Sequence, residues 1–267
     1  MLKLFLGKYV ADVYVLKFPT GESLVSFKSD EPTGEALSGL ITLSWEGNDD
    51  LINLALLVDA VRRKYVNVEL SLKVPYFPYA RQDRVCNAGE SLSVKVVAEL
   101  INQMNFARVF VTSPHSDVLG AVLNNMIVPD EYLKVAECVK LLGENTILVS
   151  PDAGANKRVL GYAKALGGLQ VIRADKTRDT LTGHITDTVV YSEYIGNRPV
   201  LVVDDILDGG GTFMPLAKKL REITAGTVNL LVSHGCFTKG VDILEGVYDN
   251  LFVVNNMYGP HKLIKEI

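Results

Sequence analysis

Two adjacent carboxylates followed by a run of glycines form the segment of the sequence best suited to chemistry. Residues 201–212 read LVVDDILDGGGT, in which an apolar run meets acidic residues, glycines and a threonine. Glycines let backbone amides approach a ligand closely, and a helix N-terminus offers N–H groups to an anion. Carboxylates beside such a phosphate site would bind sugar hydroxyls or a bridging metal. The candidate residues are Asp204, Asp205, Asp208, Gly209, Gly210, Gly211 and Thr212.

The elements that must position this segment alternate between short apolar runs and longer amphipathic stretches. Continuous apolar runs are typical of strands buried in a parallel sheet, and strand–helix alternation predicts the α/β class. Ligands of open α/β sheets bind at the carboxyl ends of strands, where the glycine segment would lie. The predicted strands span residues 2–6, 14–16, 23–28, 41–43, 69–74, 109–112, 146–150, 169–173, 199–203, 228–233 and 251–254. The predicted helices span residues 49–65, 93–105, 130–142, 156–166 and 214–223.

Length and patterning predict two domains. The chain has 267 residues, and a domain holds about 150 residues as a general expectation. We place the boundary after residue 135, which gives domains of residues 1–135 and 136–267. The polar, glycine-containing stretch at 177–187 is predicted to be a mobile loop.

Composition and charge exclude several classes of protein. Lys and Arg number 27 against 31 Asp and Glu, so the net charge is −4 and no general attraction for nucleic acid or anionic membranes is expected. No apolar run is long enough for a membrane span. The three cysteines, Cys86, Cys138 and Cys236, lie far apart, which favours neither a zinc site nor a disulfide framework. We therefore expect a cytoplasmic protein with reduced thiols.

The motifs of the chain resemble those of one family along nearly its whole length. Segment 201–212 resembles the phosphoribosyl-pyrophosphate loop that phosphoribosyltransferases and ribose-phosphate pyrophosphokinases share. Four further segments are similar to the second family: KFPTGES at 17–23, VPYFPYARQDR at 74–84, VSPDAGANKR at 149–158 and ADKTR at 174–178. The chain is therefore identified as a short, divergent member of the ribose-phosphate pyrophosphokinase family.

The resemblance implies a fold and a reaction. The fold would be α/β, with two phosphoribosyltransferase-type domains, each a mainly parallel sheet flanked by helices. The reaction would be Mg²⁺-dependent transfer of the diphosphoryl group of ATP to the anomeric hydroxyl of ribose 5-phosphate, with release of AMP. A homo-oligomer is also implied, and neither nucleic acid nor a membrane is expected as a partner.

The resemblance also implies the roles of individual residues. The catalytic cations would be Lys176 and Arg178, which meet the charge that develops on the transferred phosphoryl group. The ATP-binding residues would be Phe18, Glu22, Arg81, Gln82, Asp83 and His115. The ribose phosphate would be bound by Asp152, Asp204, Asp205, Asp208, Gly209, Gly210, Gly211 and Thr212. The metal ligands would be His115 and Asp152.

Several departures from the family pattern keep other functions open. Ser113 stands where the family usually has an aspartate, and Gly209 and Gly210 stand where a threonine and a small residue are common. A roomier loop could admit an acceptor whose 5-phosphate is esterified, such as ADP-ribose, and this acceptor is an alternative to ribose 5-phosphate. A non-catalytic regulatory homologue and a phosphoribosyltransferase that uses a free base are further alternatives, and the base-using enzyme would need no ATP site.

Overall fold

The chain folds into two compact units. A computed structural model describes residues 1–30, 38–178 and 185–267. The units are Met1–Pro129 and Asp130–Ile267, so the division lies before the boundary that the sequence predicted after residue 135. Helix α4, Tyr132–Leu142, belongs to the second unit because its buried Val135 and Cys138 pack in a core cluster of that unit.

In the first unit, the described strands form one seven-stranded sheet in the order β3-β2-β1-β4-β5-β6-β7. The first three strands are antiparallel, whereas β4 to β7 run parallel to one another. The strands are β1 Leu2–Leu6, β2 Tyr9–Lys17, β3 Ser23–Lys28, β4 Ser38–Leu43, β5 Glu69–Lys73, β6 Arg108–Phe110 and β7 Met126–Ile127. The helices are α1 Asp49–Lys64, α2 Ser93–Gln103 and α3 Asp117–Val122.

The second unit contains a second seven-stranded sheet, in the order β10-β9-β8-β11-β12-β13-β14 over the residues that the structure describes. Only the pair of β9 with β10 is antiparallel there, and the other described pairs are parallel. The strands are β8 Ile147–Ser150, β9 Val171–Arg178, β10 Ile185–Tyr191, β11 Val200–Leu207, β12 Val228–Gly235, β13 Asn250–Asn256 and β14 Ile264–Glu266. The helices besides α4 are α5 Asn156–Ala165 and α6 Phe213–Ile223.

Helices cover both faces of the second sheet, which explains why its central strands are apolar on both sides. Leu216 and Leu220 of α6 are fully buried in the cluster that contains Leu230 of β12. Val159 of α5 is buried in the other cluster, with Leu231 of the same strand. Each neighbouring residue of a strand points to the opposite face, so a strand covered on both sides must be apolar throughout. The predicted α/β class is thereby confirmed.

The two units have separate cores. The buried cluster of the first unit comes from strands and helices between Leu4 and Leu123, and it contains the apolar face of α1. The two clusters of the second unit come from residues between Val135 and Val253. Among the described residues, no helix is both long and apolar enough to span a membrane.

Candidate active site

The two adjacent aspartates lie within strand β11, near its carboxyl end, and one arginine holds both of them. The Arg158 guanidinium, on α5, donates from Nη2 to Oδ1 of Asp204 at 3.1 Å and to Oδ1 of Asp205 at 3.2 Å. The side chains of Asp204 and Asp205 are only 11% and 7% exposed. Two carboxylates in so little water repel each other, and a shared cation offsets that repulsion.

The pKa values of Asp204 and Arg158 are both raised, although burial raises the first and opposes the rise of the second. Burial, followed by the charge of Asp205, raises the pKa of Asp204 well above its ordinary value. Burial would lower the pKa of Arg158, but the charges of the two aspartates outweigh it and raise that pKa. The guanidinium therefore stays charged, and Asp204 takes up a proton more readily than an exposed aspartate does.

Lys176 reaches the same edge of the sheet from strand β9, which β8 separates from β11. Its Nζ donates a hydrogen bond to Oδ2 of Asp152, which follows β8, and lies 3.4 Å from the Thr212 hydroxyl. Burial alone would raise the pKa of Asp152, but the hydrogen bond and charge of Lys176 outweigh it and lower that pKa. Asp152 is also fixed by the Ala155 amide, which donates to Oδ1 at 3.0 Å. A cation and an ionised carboxylate thus stand beside the glycine segment.

Strand β9 extends beyond the predicted strand 169–173, so Lys176 lies in a strand and both ends of the predicted mobile loop at 177–187 belong to strands. β9 extends through Arg178 because it pairs with β10, where Lys176 stands opposite Thr188 and Arg178 opposite Ile185. Residues 179–184 of the predicted mobile loop lie outside the described residues. A lysine in a paired strand has a more restricted backbone than a lysine in a loop, and the hydrogen bond to Asp152 positions its ammonium.

Residues 208–212, here called the glycine loop, join β11 to the N-terminus of α6. The amides of Phe213 and Met214 both donate to the Gly210 carbonyl at 3.0 Å, and Gly210 has φ of +74°. Asp208 accepts a hydrogen bond from the Thr238 hydroxyl at 2.5 Å. The loop therefore ends at a helix N-terminus, which is the arrangement that favours anions.

Space around the glycine loop differs from one glycine to the next. A Cβ at Gly209 would stand 3.3 Å from the side chain of Lys239, and a Cβ at Gly210 would stand 3.1 Å from Ile243. At Gly211 no described heavy atom lies within 4 Å of that position. The extra room expected from Gly209 and Gly210 is therefore not found at those two residues, which are crowded, and the loop is open at Gly211 instead.

The predicted nucleotide-binding residues lie in the first unit, in three places. Arg81 and Gln82 line a cavity of about 570 Å³. Phe18 and Glu22 close the turn between β2 and β3, where the Phe18 amide donates to the Glu22 carbonyl at 2.8 Å. His115 is exposed in the turn between β6 and α3.

The described geometry gives little support to two predicted assignments. These are Asp83 as a nucleotide-binding residue and His115 with Asp152 as metal ligands. Asp83 has 11% exposure and lies 3.5 Å from the guanidinium of Arg84, which is the contact of an ordinary ion pair. His115 and Asp152, the predicted metal ligands, belong to different units. Among the described residues, no group of three or more His, Cys, Asp or Glu side chains could hold a metal ion by itself.

Sequence reasoning assigned no role to two cations of this site. Arg158 is the last residue of the family-like segment VSPDAGANKR and lies near the start of a predicted helix that follows Asp152. This position could have indicated that Arg158 belongs to the site. The side chain of Lys239 packs against Gly209, although Lys239 is far from the glycine loop in sequence. Only the pairing of β11 with β12, which brings the segment after β12 next to the loop, reveals that contact.

The fold matches that of a solved enzyme along almost the whole chain. The crystal structure of phosphoribosylpyrophosphate synthetase from Mycobacterium smegmatis superposes with a TM-score of 0.79, at 22% sequence identity, over 97% of this chain and 86% of that one. The predicted phosphoribosyltransferase-type fold is thereby confirmed, and the class of the protein is that of α/β proteins built from two such units.

Sequence comparison narrows this class to one family. The family model for the N-terminal domain of ribose phosphate pyrophosphokinase matches residues 3–104. The ribose-phosphate pyrophosphokinase of Mycoplasma pneumoniae is 30% identical over 90% of this chain and 75% of its own length. That of Campylobacter jejuni is also 30% identical, over 95% of this chain and 82% of its own length. The chain belongs to the ribose-phosphate pyrophosphokinase family of enzymes.

Proposed function

We propose that this chain transfers the diphosphoryl group of ATP to the anomeric hydroxyl of ribose 5-phosphate. The hydroxyl oxygen forms a bond to the β-phosphorus, the bond from that phosphorus to the α-phosphate oxygen breaks, and AMP leaves. The hydroxyl proton is released, and the product is 5-phosphoribosyl 1-pyrophosphate. The observation that carries the proposal is the juxtaposition of Asp204 and Asp205, the glycine loop and Lys176 at one edge of the second sheet.

The glycine loop and the paired aspartates suit the two ends of a sugar phosphate. The loop offers a helix N-terminus to the 5-phosphate, and the aspartate oxygens accept hydrogen bonds from ribose hydroxyls. Arg158 holds Asp204 and Asp205 in one orientation, so the sugar meets a fixed pair of acceptors. Fixed acceptors reduce the entropy lost when the acceptor is positioned for reaction.

Lys176 supplies the positive charge that diphosphoryl transfer requires. ATP and a sugar phosphate are both anions, and catalysis of their reaction depends on positioning and on stabilising the charge of the transition state. The contacts of Lys176 with Asp152 and with Thr212 hold its ammonium beside the proposed phosphate site. Arg178 is proposed as the second catalytic cation, from the resemblance.

Mg²⁺ is proposed as the cofactor, and Asp152 fits it. The lowered pKa of Asp152 keeps the carboxylate ionised, and Mg²⁺ prefers such hard oxygen ligands. Mg²⁺ is usually bound by one or two carboxylates together with substrate phosphates, so the protein need supply few ligands. His115 is the other proposed ligand. When bound, the ion would neutralise phosphate charge.

ADP-ribose is a second candidate acceptor, and the open space at Gly211 favours it. An esterified 5-phosphate carries a substituent that needs room beside the loop. No described heavy atom within 4 Å would meet a Cβ at Gly211, so the loop offers such room there.

An assay of AMP release tests both candidates. The chain is incubated with ATP, Mg²⁺ and either ribose 5-phosphate or ADP-ribose, and AMP is quantified with and without a chelator. The proposal predicts that AMP is released with ribose 5-phosphate and that the chelator abolishes this release. If AMP is released with ADP-ribose but not with ribose 5-phosphate, the second candidate is established. Absence of AMP with both acceptors would disprove both candidates.

AMP release from ATP and a sugar phosphate would itself contradict a base-using phosphoribosyltransferase, and substitution of Arg81 then tests the ATP site. Arg81→Ala alters the cavity of the first unit, which a base-using enzyme would not need. We expect this substitution to raise the KM for ATP in the AMP assay. If Arg81→Ala leaves both KM and turnover unchanged, the proposed ATP site is misplaced.

A further inference from the structure

The cavity of the first unit contains an aromatic wall whose role the resemblance does not assign. The cavity measures about 570 Å³, which is within the range of small-molecule sites. Trp45, which follows β4, lines it together with Tyr79 and Asn48. Arg81 and Gln82 also line this cavity. Aromatic, amide and guanidinium groups thus surround one space.

The aromatic wall is held in place before any ligand binds. The rings of Trp45 and Tyr79 meet edge to face, with centroids 6.2 Å apart and an interplanar angle of 69°. The Tyr79 hydroxyl donates to Oδ1 of Asn48 at 2.6 Å. The backbone carbonyl of Tyr79 accepts a hydrogen bond from the backbone N–H of Gln82 at 2.9 Å. Tyr79 has φ of 61°, a conformation that residues other than glycine adopt at an energetic cost. Such preorganisation is typical of a binding surface.

The polar groups beside the cavity favour an uncharged aromatic group at Trp45 and a phosphate at Arg81. Near Trp45, the backbone amides of Glu46 and Gly47 already donate to Oδ2 of Asp50, at 2.7 and 3.2 Å, so they are not left for a phosphate. Asp49, in the first turn of α1, is paired with Lys17. Arg81 is a lining residue with a positive charge, and a guanidinium binds phosphate well.

We propose that Trp45 binds the purine base of the nucleotide substrate in this cavity, an inference that rests on the proposed use of ATP. The base lies against the aromatic wall, because stacking gains more from the two fused rings of a purine than from a pyrimidine. Gln82 is the side chain suited to the edge of the base, because its amide offers both a donor and an acceptor. Trp45 is thus a specificity-determining residue.

Tryptophan fluorescence of the full chain tests the inference directly. Trp45 is the single tryptophan of the sequence, so selective excitation of tryptophan reports on this cavity. We expect ATP to change the emission saturably, UTP to do so only at higher concentration, and tripolyphosphate, which has no base, to leave it unchanged. An emission that responds equally to tripolyphosphate, or that does not respond to ATP, overturns the inference.

Substitutions give a second, independent readout. Trp45→Ala is expected to weaken ATP binding, measured by titration calorimetry, by about 5- to 100-fold, which corresponds to the loss of one base–aromatic stack. Trp45→Phe keeps an aromatic face and should retain most of the affinity, which separates stacking from a folding defect. Tyr194→Ala removes a ring that is 67% exposed in the second unit and serves as the matched control, with unchanged affinity. Equal ATP affinity in Trp45→Ala and the unaltered chain contradicts the inference.

The failures of the two proposals can be told apart. If the chain releases AMP but Trp45→Ala has an unchanged KM for ATP, the base is bound elsewhere and the proposed function stands. If ATP changes the tryptophan emission but no acceptor gives AMP, the base site stands and the proposed function fails.

Discussion

Arg158 is the residue on which the geometry of the paired aspartates depends. Its guanidinium bridges Asp204 and Asp205 while only 22% of its side chain is exposed. Without this cation, two carboxylates would remain in a buried strand with little solvent to screen them. Breaking a buried ion pair by removing one partner is costly because it leaves the other charge uncompensated.

Arg158→Met should therefore lower the free energy of unfolding by about 3–5 kcal/mol. Arg158→Lys should cost less, because an ammonium keeps the charge but cannot reproduce the fork of a guanidinium. Chemical denaturation followed by circular dichroism measures both. The control is Arg63→Met, since Arg63 forms an exposed pair with Asp59 and should contribute little to the free energy of unfolding. Equal losses for Arg158→Met and Arg63→Met would show that Arg158 does not stabilise the aspartate pair.

Lys176 should act on turnover rather than on nucleotide affinity. Lys176→Ala is expected to lower kcat roughly 10²–10³-fold with little change in the KM for ATP, which is the pattern of a lost transition-state contact. The AMP-release assay measures both constants, and Lys140→Ala, an exposed lysine on α4, is the control. A higher KM at unchanged kcat would instead mean that Lys176 only binds the ground state.

At the level of elements, we propose that the connection from β11 to α6 influences which acceptor can enter. Gly210 has a left-handed backbone, with φ of +74°, so a side chain there would be strained. Gly211 does not have this conformation and can be substituted without that strain. Gly211→Val would fill the open space, so we expect kcat/KM for ADP-ribose to fall more than that for ribose 5-phosphate. The AMP-release assay with each acceptor gives the ratio, and Gly211→Ala, which adds one carbon, should change it less. An unchanged ratio in Gly211→Val contradicts a role of this space in acceptor choice.

The sequence predicted the central strands and the five longer helices because their apolar patterns are local. It missed β7, β10, β14 and α3, which are short or lie at an edge of a sheet. The extension of β9 through Lys176 depends on antiparallel pairing with β10, which no local pattern encodes. Asp204 and Asp205 could be recognised from their neighbours in sequence. The bridging by Arg158 could not, because it depends on how α5 packs against the sheet.

At the scale of the whole molecule, the two separate cores predict that the second unit folds on its own. Its buried clusters contain residues from Val135 to Val253, all within Asp130–Ile267. Cys138 lies fully buried in one of them, and burial raises the pKa of its thiol to about 12. Thiolates react and protonated thiols do not, so a folded second unit must protect Cys138 from alkylation.

Alkylation of the cysteines therefore tests the independence of this unit. In the full chain, a thiol reagent should modify the exposed Cys86 quickly and Cys138 only after denaturant is added. A fragment of residues 130–267 should keep Cys138 protected to a similar denaturant concentration, because the residues that bury it are all present. Peptide mass spectrometry after timed labelling gives both rates. Rapid labelling of Cys138 in the fragment, with protection retained in the full chain, would mean that residues 1–129 are needed to complete the fold of the second unit.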